Sequence, residues 1–200
     1  VAAVVAADPA VADAGAEDLT RAMLERYRAD ARAMPEGAFR ASRAAAGDDP
    51  ARIAAAFDVG IDAVLRRMAA LGGERSGLVT CDGAGALILR KPVEGFVPPR
   101  FGAGCTLWPL YRALTRPAQP VEALVEMPGR IPRLFRARAV ALPVPGTGFA
   151  TPATLEATML VELVDTAETA PLPLGTTCRV CPRDACAARR EPSILGADAG

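Results

Sequence analysis

At 200 residues, 51% of them apolar, the chain can bury a core of one or two domains, which excludes a disordered tail. Basic and acidic residues balance at 23 each, so no global field gathers a polyanion, and any phosphate or nucleic-acid contact needs a local patch. No apolar run approaches the ~20 residues of a membrane span, and Val1 to Ala7 lacks the basic flank of a signal peptide. The expectation is a cytoplasmic protein with no membrane partner. The opening valine reads as the start of a fragment, and the near-exclusive use of arginine over lysine reads as a GC-rich genome.

Residues 1 to 17 are too weakly patterned to carry a functional reading. From Glu17 to Ala33, Leu19, Met23, Leu24, Tyr27 and Ala31 recur at helical spacing, which predicts an amphipathic helix ending before Pro35. A second helix is predicted over Pro35 to Ala46. Asp48-Asp49-Pro50 reads as an N-cap with proline in the first turn, opening a third helix through Phe57. With the segment from Ile61 to Met68 it has the outline of a helix-turn-helix in which Arg66 and Arg67 would meet phosphates. Against that, Gly60-Ile-Asp-Ala offers few base-reading groups, and Asp58 and Asp62 would face phosphate oxygens, so structural packing is the expected role. Leu71-Gly72-Gly73 marks the boundary between a helical region, 1–72, and a second domain, 73–200.

Beyond it the period changes to two. Gly77 to Cys81 and Ala86 to Arg90 form a predicted hairpin around Asp82-Gly-Ala-Gly85; the turn's phosphate-cradling reading is weak because no helix follows. After a Pro/Gly loop, Thr106 is expected to cap a helix presenting Leu107, Leu110, Tyr111 and Leu114. Trp108, the one tryptophan, is a core residue or the wall of a ligand pocket. Val121 to Met127, Leu134 to Leu142 and Leu155 to Val164 are further strands. Arg133, Arg136 and Arg138 make the best basic patch, either a phosphate site or a solvated face paired with Glu122, Glu126 or Glu162.

Three of the five cysteines, Cys178, Cys181 and Cys186, fall within nine residues. A Cys-x2-Cys pair brings two thiolates to one tetrahedral ion, and Pro182 favours the turn this needs. With no histidine in the chain, the fourth ligand must be Cys105, Cys81 or a carboxylate; the assignment is Cys105. The expected metal is zinc, with an iron–sulfur cluster as the alternative, and free thiols or one disulfide as the outcome without metal. Arg179, Arg183, Arg189 and Arg190 are placed to offset thiolate charge and donate to sulfur.

These pieces, Cys105-Thr-Leu-Trp108, Val125-Glu126-Met127-Pro128 and Cys178-Arg179-x-Cys181-x-Arg183-x-x-Cys186-x-x-Arg189-x-x-Pro192, resemble the C-terminal domain of the short-chain fatty acyl transcriptional regulators. These are bacterial repressors and activators of acyl-CoA and glyoxylate metabolism, and the likeness covers roughly Phe57 to Leu195. Residues 22 to 71 are also similar to the end of the metallopeptidase-like domain that precedes it. The family's DNA-binding helix-turn-helix is not in this chain, nor is its His-Glu-x-x-His helix. The resemblance therefore implies the sensing half of a regulator rather than an enzyme, acting on DNA through a domain outside this chain and working as a homodimer.

The expected architecture is α+β: a helical region, then an antiparallel sheet with helices on one face, like a PAS or GAF sensor, and a C-terminal zinc knuckle. A short-chain acyl-CoA is expected with its thioester end near Trp108 and Tyr111 and its phosphates on Arg133, Arg136 or Arg138.

Overall fold

A computed structural model describes residues 1, 14–129, 131–144 and 150–195; the chain's first stretch, to which no function was given, lies largely outside them. The chain forms two compact units, Val1–Arg67 and Met68–Gly200. The fold class is α+β, as the change of period predicts.

In the first unit, α1 (Ala14–Ala33), α2 (Glu36–Ala45) and α3 (Pro50–Phe57) are separated by the breakers the sequence shows, and α4 (Ile61–Leu71) follows. Helix α3 starts because the Asp49 carboxylate accepts from Ala51 N–H at 2.9 Å and Pro50 occupies the first turn. It ends at Asp58, whose left-handed backbone (φ 52°) turns the chain out of the helix. Phe39 and Ile53 are buried here, and the Phe39 and Phe57 rings lie 6.3 Å apart.

The second unit is built on a six-stranded sheet in the order β2-β1-β5-β4-β3-β6. The strands are β1 (Ser76–Asp82), β2 (Leu87–Lys91), β3 (Val121–Met127), β4 (Arg133–Val144), β5 (Thr154–Val164) and β6 (Leu172–Pro173). Neighbours pair antiparallel except β6, which runs parallel to β3 through Val125 and Leu172. This short parallel edge is a departure from the all-antiparallel expectation. It arises because the chain leaving β5 lays Leu172 against the core and Leu174 N–H donates to the Glu126 carbonyl at 2.9 Å.

Strand β1 is buried along almost its whole length, as its near-continuous apolar run requires of an interior strand. On β4, Phe135, Ala137, Ala139 and Ala141 enter the main core, so the alternating pleat sends Arg136 and Arg138 to the opposite face. The core face is covered by one short helix, α5 (Pro109–Leu114), which packs against β4, β5, β3 and β1. Thr106 does not cap it: the N-cap position is Trp108, without a side-chain hydrogen bond, because Pro109 sets the first turn. Leu107 consequently lies before the helix, while Leu110 and Ala113 are buried beneath it.

No described helix is long and apolar enough to cross a membrane.

Candidate functional site

Trp108 organises the site. Its side chain is fully buried, its ring lies 5.0 Å from Phe96 and 6.2 Å from Tyr111, and Phe96 meets Phe135 edge-on at 5.9 Å. Such pairs add about 0.5–1.5 kcal/mol each beyond area burial. A buried indole N–H needs an acceptor, and Trp108 Nε1 donates to the Gly175 carbonyl at 2.8 Å. The helix after Cys105 is thus fastened to the segment that carries the other three cysteines.

Two glycines make the approach possible. A Cβ on Gly104 would stand 2.4 Å from the Trp108 ring, and one on Gly175 would stand 2.8 Å from Cys181 Sγ. Only a residue without a side chain fits either place.

The segment beyond Leu174 has no regular structure except a single 3-10 turn at Cys178–Val180. It is held mainly by arginines bonding to main-chain oxygen. Arg183 donates from Nε to the Leu174 carbonyl at 2.8 Å, and from Nη2 to the Glu126 carboxylate at 3.0 Å and carbonyl at 3.2 Å. Arg189 donates to the Cys178 and Arg183 carbonyls. Arg190 Nη2 donates to the Gly104 carbonyl at 2.8 Å. The expected donation to sulfur converges on Cys178, which takes hydrogen bonds from Arg190 main-chain N–H, at 3.4 Å to Sγ, and from the Arg190 side chain and Glu191 N–H. Those bonds, against the opposing effect of burial, hold the Cys178 thiol below the ordinary cysteine range. Arginine's many donors suit it to satisfying carbonyls in a segment that lacks its own ladder.

Cys105, Cys178, Cys181 and Cys186 line one small cavity of about 20 Å³, with Leu107 and Leu174 on its apolar side. That is room for about one water-sized sphere. The geometry therefore gathers all four cysteines of the predicted set and leaves out Cys81, which lies in the sheet core with its thiol pushed by burial up to about 12. The thiols are free, with no disulfide among them. Among the described residues, no three Cys, Asp or Glu side chains are grouped as ligands of a single ion. The donor chemistry fits a soft metal or cluster, since four thiol sulfurs, one of them already accepting N–H hydrogen bonds, are what such groups take. Outside this cavity an open cleft of about 510 Å³ runs past Pro173 and Pro182; of the four cysteines, Cys186 faces both spaces.

The five residues expected to contact a ligand are not brought together. Trp108 and Tyr111 stand on the core face. Tyr111 is half-buried: its hydroxyl donates to the Gly85 carbonyl at 3.4 Å and accepts from Gly104 N–H at 2.8 Å. Arg133 shares that face and pairs with Glu94. Arg136 and Arg138 lie on the opposite face; Arg136 is exposed, and Arg138 is 5% exposed and paired with Glu162.

In the first unit, Arg66 is claimed by Asp30 at 2.7 Å and Asp62 at 2.6 Å, and buried Arg67 donates to the Met34 carbonyl at 3.0 Å. Both guanidinium groups are committed to packing, which is the role the sequence favours over phosphate contact.

Sequence reasoning missed Gly104, Gly175 and the bridging role of Arg190. Glu126 entered the sequence reading as part of Val125-Glu-Met-Pro128 and as one candidate partner of the Arg133, Arg136 and Arg138 patch. The structure gives it a reason, because it is the acceptor for Arg183 of the cysteine segment.

Residues 76–197 match the short-chain fatty acyl coenzyme A regulator C-terminal family, and the chain belongs to that family of transcriptional regulators. It is 29% identical, over 199 aligned positions, to a propionyl-CoA carboxylase regulator of Cereibacter sphaeroides, covering 90% of this chain and 42% of that protein. It is also 29% identical, over 194 positions, to the HTH-type transcriptional regulator RamB of Mycobacterium tuberculosis, covering 88% and 41%. The chain thus spans about two fifths of the length of the curated relatives it matches. A solved Mycobacterium tuberculosis transcriptional regulator has a similar fold, with a TM-score of 0.76 at 24% identity, covering 98% of this chain and 64% of that one.

Proposed function

We propose that this chain is the ligand-sensing part of a regulator that responds to short-chain acyl-CoA and acts on DNA through a domain outside the sequence described here. We further propose that Cys105, Cys178, Cys181 and Cys186 hold a metal centre that fastens the C-terminal segment to the sheet. The observation that carries the second statement is that four cysteines, one of them remote in sequence, line a single cavity. The first is supported by the family match and by the name of the Cereibacter relative. A sheet with a helix on one face, in the manner of PAS or GAF sensors, suits such a role.

Zinc is the ion the Cys-x2-Cys spacing suggests. A single zinc draws its sulfurs to about 2.3 Å from one point. The alternative the cysteine pattern allows is an iron–sulfur cluster on the same four thiolates, for which a cavity of about 20 Å³ would have to open. Anaerobic purification decides between them: a brown protein with iron and sulfide supports the cluster, whereas a colourless one with one equivalent of zinc supports the single ion. In either case Cys181→Ser should lose the metal and Cys81→Ser should keep it. A chain with neither metal, and a Cys178–Cys186 disulfide, would end this reading.

For the ligand, Arg133 is the guanidinium that shares a face with Trp108 and Tyr111, so it is the proposed phosphate contact. Titration calorimetry should show Arg133→Ala weakening acyl-CoA and free CoA about equally, with Arg136→Ala close to wild type because it lies on the other face. If no acyl-CoA binds to folded, metallated protein, the domain serves dimerisation or scaffolding instead.

A further inference from the structure

We infer that Arg190 is a positioning residue that brings the remote thiol Cys105 into the same centre as Cys178; this rests on the four-cysteine reading proposed above. Two contacts leave this one residue in different directions. Its main-chain N–H donates to Cys178 Sγ at 3.4 Å, and its guanidinium donates to the carbonyl of Gly104, the residue joined to Cys105, at 2.8 Å. The peptide that carries Cys105 and the sulfur of Cys178 are therefore set by a common reference.

The Gly104 peptide is fixed from three sides. Arg190 takes its carbonyl, Tyr111 Oη accepts its N–H at 2.8 Å, and the Trp108 ring closes the third side so tightly that a Cβ would not fit. Tyr111 in turn donates to Gly85 in the β1–β2 turn, so two of the three constraints belong to the sheet domain itself. Only the Arg190 contact comes from the cysteine segment. Removing it leaves Cys105 held to the sheet, with the Trp108–Gly175 bond as a remaining tie to the segment that carries its three partners. The guanidinium also acts on the Cys178 thiol by hydrogen bond and by charge, so one fork faces both sides of the centre, and its 2.8 Å bond to the neutral Gly104 carbonyl is the part that charge alone does not explain. A lysine at 190 would keep the charge but present a single ammonium on a shorter stem in place of the long guanidinium fork.

The test uses the metallated protein and three variants, Arg190→Ala, Arg190→Lys and Cys105→Ser, each checked for an unchanged far-ultraviolet spectrum. Two quantities are read: the rate of metal release to excess chelator, and site-resolved alkylation by iodoacetamide followed by mass spectrometry. Loss of an outer-shell partner typically weakens a metal site by about 10–100-fold. Arg190→Ala should release metal faster by a factor in that range and expose Cys105 to alkylation while Cys178 and Cys181 stay protected. Arg190→Lys should resemble Ala more than wild type. In the Cys105→Ser background, Arg190→Ala should add little, because both changes remove the same ligand.

Release at the wild-type rate from Arg190→Ala, full rescue by Lys, or alkylation spread evenly over all four cysteines would overturn the inference while leaving the metal centre intact. Wild-type protein without metal would remove the centre and the inference together.

Discussion

The sheet and the cysteine segment of the second unit are held by different physics. The sheet joins β1, β5, β4 and β3 through continuous ladders and closes on Phe96, Trp108, Phe135, Met159 and Val161, all at 0% exposure. Its stability comes from apolar burial, which needs no ligand. The segment after Leu174 has one 3-10 turn, few apolar anchors, and a set of long-range hydrogen bonds from arginines and one indole to carbonyls. Bonds of this kind contribute modestly in net terms, so the segment is the less strongly held of the two regions. A domain built this way pairs a durable scaffold with a more weakly held strap.

The two regions also treat their cysteines oppositely. Burial, with Asp82 close by, pushes Cys81 up to about 12, whereas the Arg190 N–H lowers Cys178. The first thiol is a small apolar filler; the second sits among hydrogen-bond donors that ease its ionisation.

The largest break should come from Trp108→Ala, which removes both the centre of the aromatic core and the tie to Gly175. A large-to-small change of this kind costs about 3–5 kcal/mol, measurable by urea denaturation, and both regions should be lost together. A cost below about 1 kcal/mol would mean that the core does not depend on this ring. Next is pH. The folded pKa of Cys81 lies above its unfolded value of 9.0, so this thiol's contribution is intact below pH 9 and is lost as pH rises from there towards about 12. Denaturation midpoints followed across that window should fall less steeply in Cys81→Ala than in wild type, and parallel curves would remove the burial argument.

Trp108→Phe separates the regions more finely, since it keeps a ring in the core and strands the buried Gly175 carbonyl. Leaving such an acceptor unpaired costs about 1–3 kcal/mol. The loss should appear first as faster tryptic cleavage after exposed Arg179, with cleavage in the strands unchanged. The smallest effect is expected inside the sheet. Thr158 is 1% exposed, and its hydroxyl has no partner among the described residues. Thr158→Val should be neutral or stabilising by up to about 1 kcal/mol in a thermal melt, because it removes a desolvated polar atom; destabilisation would point to a water or side chain that satisfies it.

Much of the scaffold was legible in the residues. The Asp49-Pro50 cap, the change from helical to alternating period after Gly73, and the strands around Val121, Leu134 and Leu155 all follow from local rules, and each element formed within a few residues of its expected ends. The start of α5 was misread because Thr106 obeys the capping rule as well as Trp108-Pro109 obeys the proline rule, and only the burial of Trp108 selects between them.

By itself, the sequence determined the fold class, most of the elements and the clustering of Cys178, Cys181 and Cys186, because caps, periodicity and close spacing are properties of neighbours along the chain. Tertiary structure alone decided what those elements present to one another. The pleat of β4 put Arg136 and Arg138 across the sheet from Trp108, a consequence of which face found a core rather than of the arginines' own pattern. Arg183 was joined to Glu126 and Arg190 to Gly104 because the carbonyls of an irregular segment and its docking site must be satisfied by whichever donors can reach them once the backbone has closed.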